Sequence, residues 1–468
     1  MTDRIAALPE APAASARIGG QLSWVAYDMA GGPYFNVVKV FVFAPYFASE
    51  IVGNSIKGQA LWGYVEGTAG LLIALLSALV GSATDAYGAR KPLMAALSAI
   101  VVAGLLLIWG AAPNSAVLPL AALLVMIAVA AELSFLCHGS LLSIVAPESR
   151  VGLLSGLGYS FSYLGTLIVF IAWLWLFGLA AIPALGLDRA HAEDIRIIGP
   201  MCALWFSLCA VPFFLFTPDG KRNGPGFIAS IGLGLTRLKA TLGHARHYAN
   251  IVRYFLARMV YFDGLVATFT FIGIYASGVF GWRSAQVGLY GLVIFSVIVF
   301  AAIIGGLIDD RIGSRRTILI GLCAVMTSVF LGLSVGPHSI FYIVQLSPAA
   351  IHAAVPIVGA ALSRIGFTTL PEQVFVLCGV LGGIFMGPTL ASSRTLLARI
   401  APQSMMAEFF GIFTLSGKAT SFLAPLAIAV ATSLTGSQRI GIATVLVFLL
   451  AGFFGLLTVK EERSAALA

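Results

Sequence analysis

The stretch Gly81-Ser-Ala-Thr-Asp85-Ala-Tyr-Gly88-Ala-Arg90-Lys91 decides the fold, because its pattern occurs a second time in the other half of the chain. The second copy reads Gly306-Leu-Ile-Asp-Asp310-Arg-Ile-Gly313-Ser-Arg315-Arg316, at an offset of 225 residues (310 − 85). A pattern that recurs at matching places indicates an internal repeat rather than one local turn. Each copy follows a long apolar run and ends in basic residues, which is typical of a membrane-spanning helix that enters a cytoplasmic loop.

The composition of the chain excludes a soluble globular protein and a disordered one. Of its 468 residues, 59% are hydrophobic and 10% are charged, whereas soluble proteins have about 45–50% apolar and about 25% charged residues. The formal net charge of +8 comes from short basic islands between apolar runs. We therefore expect the chain to contact a lipid bilayer and to have no nucleic-acid partner.

The length and number of the apolar runs predict an all-α membrane protein. A helix needs about 20 apolar residues to cross a bilayer core about 30 Å thick, and the alternation typical of barrel strands is missing from these runs. We predict twelve transmembrane helices in two pseudo-symmetric six-helix halves. The predicted spans are residues 21–47, 59–84, 92–111, 116–144, 151–179, 198–217, 252–280, 286–308, 317–335, 374–397, 407–432 and 440–459.

The distribution of basic residues predicts the orientation. With the N-terminus inside, about 19 of the 27 Lys and Arg residues lie in cytoplasmic termini and loops, as the positive-inside rule requires. Both termini are therefore expected in the cytoplasm, and the protein in a bacterial inner membrane.

The predicted domains are an N-terminal half (1–217), a cytoplasmic linker (218–250) and a C-terminal half (251–468). Apolar residues at helical spacing within the linker predict an amphipathic helix on the inner leaflet. A second repeat, Ala146-Pro147 and Ala401-Pro402, has an offset of 255 residues (401 − 146). The C-terminal half therefore carries 30 additional residues, which we place in an external hairpin or interfacial helix pair near 336–371 rather than in a thirteenth span.

The repeated pattern on a six-plus-six frame resembles the major facilitator superfamily of transporters. Finer motifs resemble its bacterial branch grouped with the fungal autophagy-related vacuolar effluxers; they are Trp24-Val-Ala-Tyr27-Asp28, Tyr261-Phe-Asp263-Gly264, Arg394-Thr-Leu-Leu-Ala-Arg399 and Glu408-Phe-Phe-Gly411. The resemblance implies alternating access and, for the fungal members, export of amino acids from vacuoles. Met29 and Gly31 depart from the aromatic residue and the asparagine usual in the family.

The two repeat copies are predicted to form a cytoplasmic gate. In each copy the glycine would let two helices approach closely, and the aspartate would accept hydrogen bonds from a helix N-terminus or an arginine. Arg394 and Glu408 flank a cytoplasmic turn and are assigned to the same gate. The other predicted gate residues are Gly81, Asp85, Arg90, Lys91, Gly306, Asp310, Arg311, Arg315 and Arg316.

Two charges in the first span predict a pathway through the membrane, because a charge at mid-bilayer costs a few kcal/mol. Asp28 and Lys39 are 11 residues apart, which places them on one face of an α-helix. Between them, Gly31, Gly32 and Pro33 are expected to break the helix and free backbone groups for a ligand. The alternative is that Asp28 caps the helix while Lys39 extends towards the membrane surface.

Further charges within spans extend the predicted substrate or proton pathway. Glu132 is our first choice for binding a coupling proton, with a static pair to Lys39 as the alternative. His138 is assigned to the pathway, although such a residue is more often a hydrogen-bonded histidine at a helix end. Asp263 and Lys418 come from the second half, where Lys418 either binds a substrate carboxylate or neutralises Asp28, Glu132 or Asp263.

The chemistry of these residues favours a transporter over an enzyme. We find no nucleotide-binding loop, metal-ligand cluster or catalytic constellation, and we expect no cofactor. Three acids with two lysines favour a zwitterion or weak anion as substrate. The leading hypothesis is a monomeric, proton-coupled exporter of an amino acid or related metabolite. A permease for peptidoglycan fragments, peptides or amphipathic drugs stays open, as does a non-transporting assembly factor or sensor.

Overall fold

The computed structural model describes residues 18–146, 151–220, 248–401 and 406–461. Within these ranges the chain is largely helical, and ten helical segments are long and apolar enough to cross a membrane. The prediction of an all-α membrane protein is confirmed. The predicted first and eighth spans are outside that set, although a shorter apolar helical stretch, Ser284–Ile298, lies at the position of the eighth. The count of twelve therefore stays a prediction.

The N-half, as we call the first six long helices, contains α1 to α6. Their bounds are α1 Ile18–Pro33, α2 Ser55–Tyr87, α3 Lys91–Leu107, α4 Val117–Ser140, α5 Val151–Trp173 and α6 Ile198–Phe216. Shorter elements connect them. These are the α-helices Phe43–Tyr46, Leu142–Val145 and Glu193–Arg196, the π-helices Tyr34–Phe41, Phe47–Ile51 and Leu174–Gly178, and the 3-10 helices Ile108–Gly110, Ala184–Gly186 and Arg189–His191.

The C-half contains the remaining long helices. Their bounds are α7 Ala249–Phe280, α8 Ser284–Ile312, α9 Ser314–Ser334, α10 Leu370–Ile400, α11 Met406–Ala419, α12 Leu423–Thr435 and α13 Gln438–Leu457. The single predicted span 407–432 is thus broken into α11 and α12 around residue 420. The predicted amphipathic helix of the linker lies mostly in residues 221–247, outside the described residues.

Helix packing repeats between the halves. In the N-half, α2 and α3 pack on α4, while α1 and α3 pack on α6. In the C-half, α8 and α9 pack on α10, while α7 and α9 pack on α13. The same pattern of neighbours in both halves confirms the predicted pseudo-symmetry.

The first predicted span changes its helical geometry after the glycine–proline stretch. The α-helix ends at Pro33, and the next eight residues, Tyr34–Phe41, form a π-helix. A π-helix turns less per residue than an α-helix, so the α geometry assumed for Asp28 and Lys39 is wrong. The two side chains face different helices, since Asp28 lies beside α4 and Lys39 pairs with α2.

The two glycines of this stretch serve close packing. A Cβ at Gly31 would lie 2.0 Å from the Phe135 ring, and one at Gly32 would lie 2.1 Å from the carbonyl oxygen of Ser162. The Asn36 amide donates to the Gly32 carbonyl at 2.9 Å. The expected free backbone is therefore wrong for Gly32, because a side chain four residues later binds its carbonyl.

The halves meet along α2 and α12, at the end of α2 that lies farthest from the repeat motif. Small residues allow this approach, since a Cβ at Gly63 would lie 2.8 Å from the Pro425 carbonyl oxygen. The buried Gln59 amide donates to Thr432 Oγ1 at 2.9 Å and to the Gln438 carbonyl at 3.1 Å. Polar and close-packed contacts thus join the halves at this end of the molecule.

The additional segment near 336–371 forms a small substructure. Strands β1 (Ser339–Ile340) and β2 (Val344–Gln345) pair antiparallel, and the helices Pro348–Ile351 and Gly359–Arg364 follow. The longer of these helices has six residues, far fewer than a membrane span requires. The segment thus contains a short β-hairpin and two short helices, while its position outside the membrane stays a prediction.

Candidate functional site

An ion pair joins the two halves within the membrane-spanning region. Lys418, at the end of α11, places its Nζ 2.5 Å from Glu132 Oε2 on α4, and the two side chains are 32% and 18% exposed. Of the three acids named as possible partners of Lys418, the structure selects Glu132. Both side chains of this inter-half ion pair are therefore only partly buried.

A second ion pair lies within the N-half. Lys39 Nζ is 2.9 Å from Glu66 Oε2 on α2, so the predicted static pair between Lys39 and Glu132 is wrong. Sequence reasoning missed Glu66, although the signal was present, since it is an acid within a predicted span. The cost of an intramembrane charge that singled out the other acids applies equally to Glu66.

Asp28 and His138 face each other between α1 and α4. Asp28 Oδ1 is 3.6 Å from His138 Nδ1, and His138 Nε2 is 2.9 Å from the carbonyl oxygen of Trp24. The imidazole is 2% exposed and stacks on the Trp24 indole, with ring centroids 4.3 Å apart and planes at 15°. His138 is thus a hydrogen-bonded histidine and also a neighbour of the predicted pathway acid.

Asp263 contacts the break between α11 and α12. Its Oδ2 accepts a hydrogen bond from the backbone N–H of Ala424 at 3.0 Å, near the first residue of α12. A buried acid at a helix N-terminus satisfies an amide that has no partner within the helix. Asp263 therefore stabilises the start of α12, immediately after the turn that follows Lys418.

The repeat motif of the N-half is held by an acid that follows α6. Asp219 accepts hydrogen bonds from the backbone N–H groups of Arg90 at 2.8 Å and Lys91 at 3.1 Å, at the start of α3. The Lys91 ammonium donates to the carbonyls of Phe214 at 2.8 Å and Thr217 at 2.7 Å, at the end of α6. These bonds tie α3 to α6.

The repeat motif of the C-half is held in the same way by Glu461, which follows α13. Its carboxylate accepts from the backbone N–H groups of Ser314 at 3.0 Å and Arg315 at 2.9 Å, and from Arg399 Nη1 at 2.9 Å. Burial alone would raise the pKa of Glu461, but these backbone and guanidinium hydrogen bonds lower the pKa below its ordinary value. Sequence reasoning missed Asp219 and Glu461, because nothing local to either one points to a partner so distant in the chain.

Arg399 adds a cluster of charges to the C-half. Its Nη2 is 3.0 Å from Asp309 Oδ2 and 3.4 Å from Asp310 Oδ1. The term arginine cluster is used below for Arg399, Asp309, Asp310 and Glu461. Asp310 therefore accepts from an arginine, one of its two predicted partners. The side chain of Arg315 donates to the carbonyls of Leu456 and Leu457.

Other gate predictions have mixed outcomes. The close helix approach expected at the motif glycines stays a prediction: no described atom lies within 4 Å of a Cβ at Gly306, and among the described atoms only Leu136 lies near one at Gly81, at 3.8 Å. Arg394 donates to the Tyr159 hydroxyl and thereby joins α10 to α5, across the halves. Arg316 is exposed. The side chains of Asp85 and Glu408 lie outside what the structure describes.

Arg258 on α7 is a buried cation that sequence reasoning missed. It is 5% exposed, donates to the Phe413 carbonyl and to Ser416 Oγ at 2.9 Å each, and its guanidinium lies 3.4 Å from the Phe413 ring centroid. These contacts hold α7 against α11, close to Lys418 in sequence.

A cavity of about 70 Å³ lies inside the C-half. It is largely apolar, and the Tyr290 hydroxyl that lines it has no hydrogen-bond partner among the described residues. Helices α7 to α10 and Ile442 of α13 contribute its walls. None of the predicted pathway residues lines it, so the cavity and the inter-half ion pair are separate features.

Two pseudo-symmetric helical halves, joined by an ion pair within the membrane region, define the class of protein. Solved transporters of this architecture superpose on the chain. A partially occluded, inward-open xylose transporter XylE from E. coli matches with a TM-score of 0.64 and 13% identity, over 96% of this chain and 99% of that one. A POT family transporter in complex with 5-aminolevulinic acid matches with a TM-score of 0.61 and 14% identity, over 94% and 96%. The chain has the major facilitator fold.

The family follows from sequence comparison. The model of the family "Vacuole effluxer Atg22 like" matches residues 47–468, and the chain belongs to this family of major facilitator transporters. YxiO of Bacillus subtilis, described as an uncharacterised transporter of this superfamily, is 23% identical over 94% of this chain and 95% of its own length. Autophagy-related protein 22 of Cryptococcus neoformans is 26% identical over 68% of this chain and 52% of its own length.

Proposed function

We propose that this transporter moves a small zwitterionic solute, an amino acid or a related metabolite, out of the cytoplasm by proton-coupled alternating access. The inter-half ion pair carries the proposal. Glu132 and Lys418 present one negative and one positive charge, from opposite halves, at side chains that remain partly exposed. A zwitterion has the complementary charges, so its ammonium can replace Lys418 beside Glu132 while its carboxylate replaces Glu132 beside Lys418.

This exchange of partners supplies a reason for the halves to move. In the absence of substrate, the ion pair holds α4 and α11 together. A bound zwitterion offers each side chain a new partner, so the halves separate without leaving either charge unpaired in a medium where an unpaired charge is costly. The direction is part of the proposal and does not rest on the family name, which describes efflux from a vacuole, a movement towards the cytoplasm.

The test is charge movement by the full-length protein in liposomes on a supported membrane, under an inward pH gradient, as pooled amino acids are added. Wild type should give a substrate-dependent current. Glu132→Gln and Lys418→Gln should each lower apparent affinity by at least about tenfold, since a charge-assisted hydrogen bond is worth about 1.5–3 kcal/mol. Glu193→Gln is the matched control, because Glu193 pairs with Arg196 within one half.

Two results would contradict the proposal. An unchanged current in Glu132→Gln would remove the ion pair from substrate binding. Wild-type silence with every amino acid, in both current and isotope exchange, would overturn the amino-acid assignment and direct the same assay to peptides and cell-wall fragments.

A further inference from the structure

The hydrogen bond of His138 determines which ring nitrogen carries a proton. His138 Nε2 lies 2.9 Å from the backbone carbonyl oxygen of Trp24. A carbonyl oxygen only accepts hydrogen bonds, so Nε2 must be the protonated nitrogen. In a neutral imidazole, Nδ1 is then an acceptor with a free lone pair.

The atom that faces this lone pair is also an acceptor. Asp28 Oδ1 lies 3.6 Å from Nδ1, and among the described residues no hydrogen bond reaches the Asp28 carboxylate. Two acceptors that face each other without a proton repel, and a carboxylate in a membrane-buried position without a donor is costly. One proton between Oδ1 and Nδ1 removes both penalties.

We propose that Asp28 and His138 form a proton-binding dyad, in which one proton is held between Asp28 Oδ1 and His138 Nδ1. The proposal deepens the proton coupling of the proposed function and assigns the proton to this dyad instead of to Glu132. The present separation needs to shorten by less than about 1 Å to reach an ordinary hydrogen bond. On release the proton leaves, and the carboxylate and the neutral imidazole remain.

The surroundings of the dyad suit a proton better than a larger ligand. Gly158 of α5 lies against Asp28, and a Cβ at this position would lie 2.1 Å from Asp28 Oδ2. His138 is enclosed by the rings of Trp24, Tyr27 and Phe213. The Asp28 side chain is 22% exposed, which leaves a route for proton exchange from its own side of the dyad.

The titratable and charged groups around the dyad come from four helices. Tyr27 neighbours Asp28 on α1, and its hydroxyl is hydrogen-bonded to Ser98 and Ser134. Lys91 of α3 lies over the Phe213 ring and is bonded to carbonyls. Arg394 of α10 acts on Asp28 through its charge without forming an ion pair with it, and donates instead to Tyr159 of α5.

Glu132 is less suited to exchange a proton. It is already paired with Lys418 at 2.5 Å, and the charge of Lys39 also acts on it. A carboxylate between two ammonium groups is stabilised in its charged form. Among the described residues the dyad has no such cation within 4 Å, so the two acids of the pathway have different roles.

The dyad carries its own optical reporter, because Trp24 stacks on His138 and an imidazolium quenches indole fluorescence more than a neutral imidazole does. The experiment is a fluorescence titration of the purified full-length protein without substrate, from about pH 4 to about pH 9. Wild type should show one quenching transition. Trp24→Phe should lose it, while Trp205→Phe, which removes an indole bonded to the Met29 carbonyl on the same helix, should retain it.

Asp28 and His138 variants then test the dyad itself. The transition should be lost in His138→Gln, and it should be lost or displaced by more than about one pH unit in Asp28→Asn. Infrared difference spectra across the transition should show a change in the carboxylate bands, as the proton binds beside Asp28, that is absent in Asp28→Asn and present in Glu132→Gln. The titrations are run in choline and in sodium salts.

The outcomes are decisive without any knowledge of the substrate. A transition that is unshifted in Asp28→Asn, a carboxylate-band change that disappears in Glu132→Gln instead, or a wild-type protein with neither signal would overturn the dyad. A midpoint that moves with sodium concentration would replace the proton with Na⁺. Failure of the amino-acid assay with an intact titration would reject the substrate assignment and leave the dyad standing.

Discussion

The two halves secure their repeat motifs with the same device, but the C-half adds a charge cluster. In each half an acid after the last helix, Asp219 or Glu461, accepts two backbone N–H groups at the start of the third helix. In the C-half this acid also binds Arg399, which reaches Asp309 and Asp310 at the end of α8.

The repeat offsets show where the difference arises. Asp309 corresponds to Thr84, and Arg399 corresponds to Ile144. Thr84 directs its hydroxyl to the carbonyls of Val80 and Gly81 in its own helix. The arginine cluster therefore links α8, α9, α10 and the chain after α13, whereas the N-half acid links α3 with α6. Repeated backbone architecture does not impose repeated side-chain chemistry.

Removal of Arg399 should cause the largest loss in the free energy of unfolding. Arg399→Ala leaves the buried Asp309 and the mostly buried Glu461 without their cation, and we expect a loss of about 2–3 kcal/mol, given that Arg399 itself is partly exposed. For a chain of 468 residues this corresponds to a drop of about 2–3 °C in the Tm of the purified protein. Arg399→Lys should recover part of it. Equal Tm values for wild type and Arg399→Ala would show that the cluster contributes no stability.

Neutralisation of Glu461 and of Asp219, the equivalent acids of the two halves, should lower the free energy of unfolding by unequal amounts. Glu461→Gln and Asp219→Asn each keep one acceptor oxygen and replace the other with an amide NH2 that cannot accept a backbone N–H. Glu461→Gln also loses the charge that pairs with Arg399, for which we expect a total of about 1–2 kcal/mol. Asp219→Asn loses mainly the interaction of its charge with the helix N-terminus, about 0.5–1 kcal/mol. The two variants are compared by thermal unfolding at neutral pH. Equal losses of stability would contradict the additional contact of Glu461 with Arg399.

The contribution of Glu461 should depend on pH with a defined sign. Because its pKa is lowered in the folded protein, its contribution is complete above the unfolded pKa of about 4.3 and is lost as the pH falls through the lower folded value. The Tm difference between wild type and Glu461→Gln should therefore close on acidification below about pH 4. A difference that persists there would mean that packing, and not charge, stabilises this contact.

The smallest effect is expected at Thr84. Thr84→Val retains the shape of a side chain that is 1% exposed and removes a hydroxyl bonded within its own helix, so the Tm should change by less than the equivalent of about 0.5 kcal/mol. Asp309→Asn, at the corresponding position of the C-half, should cost more because Arg399 loses its buried partner. Equal changes in Tm for Thr84→Val and Asp309→Asn would show that the charge at Asp309 gives the C-half no additional stability.

The sequence predicted those residues of the site whose charge is energetically costly within a membrane. Asp28, Glu132 and Lys418 were found because a charge within an apolar span requires a reason, and Glu66 follows from the same argument. The partners were predicted less well. Lys39 binds Glu66 instead of Glu132, because the change from α to π geometry after Pro33 alters the direction of the residues that follow.

By itself, the sequence determined the fold class, the pseudo-symmetric halves and the charged positions, because hydrophobic length, repeated motifs and the cost of buried charge are properties of the chain. Tertiary structure alone decided which charges meet. Glu132 and Lys418 are 286 residues apart, and Arg399 and Glu461 are 62 apart. Contacts of a few ångströms between such distant residues depend on how helices pack and rotate, which no local pattern of residues specifies.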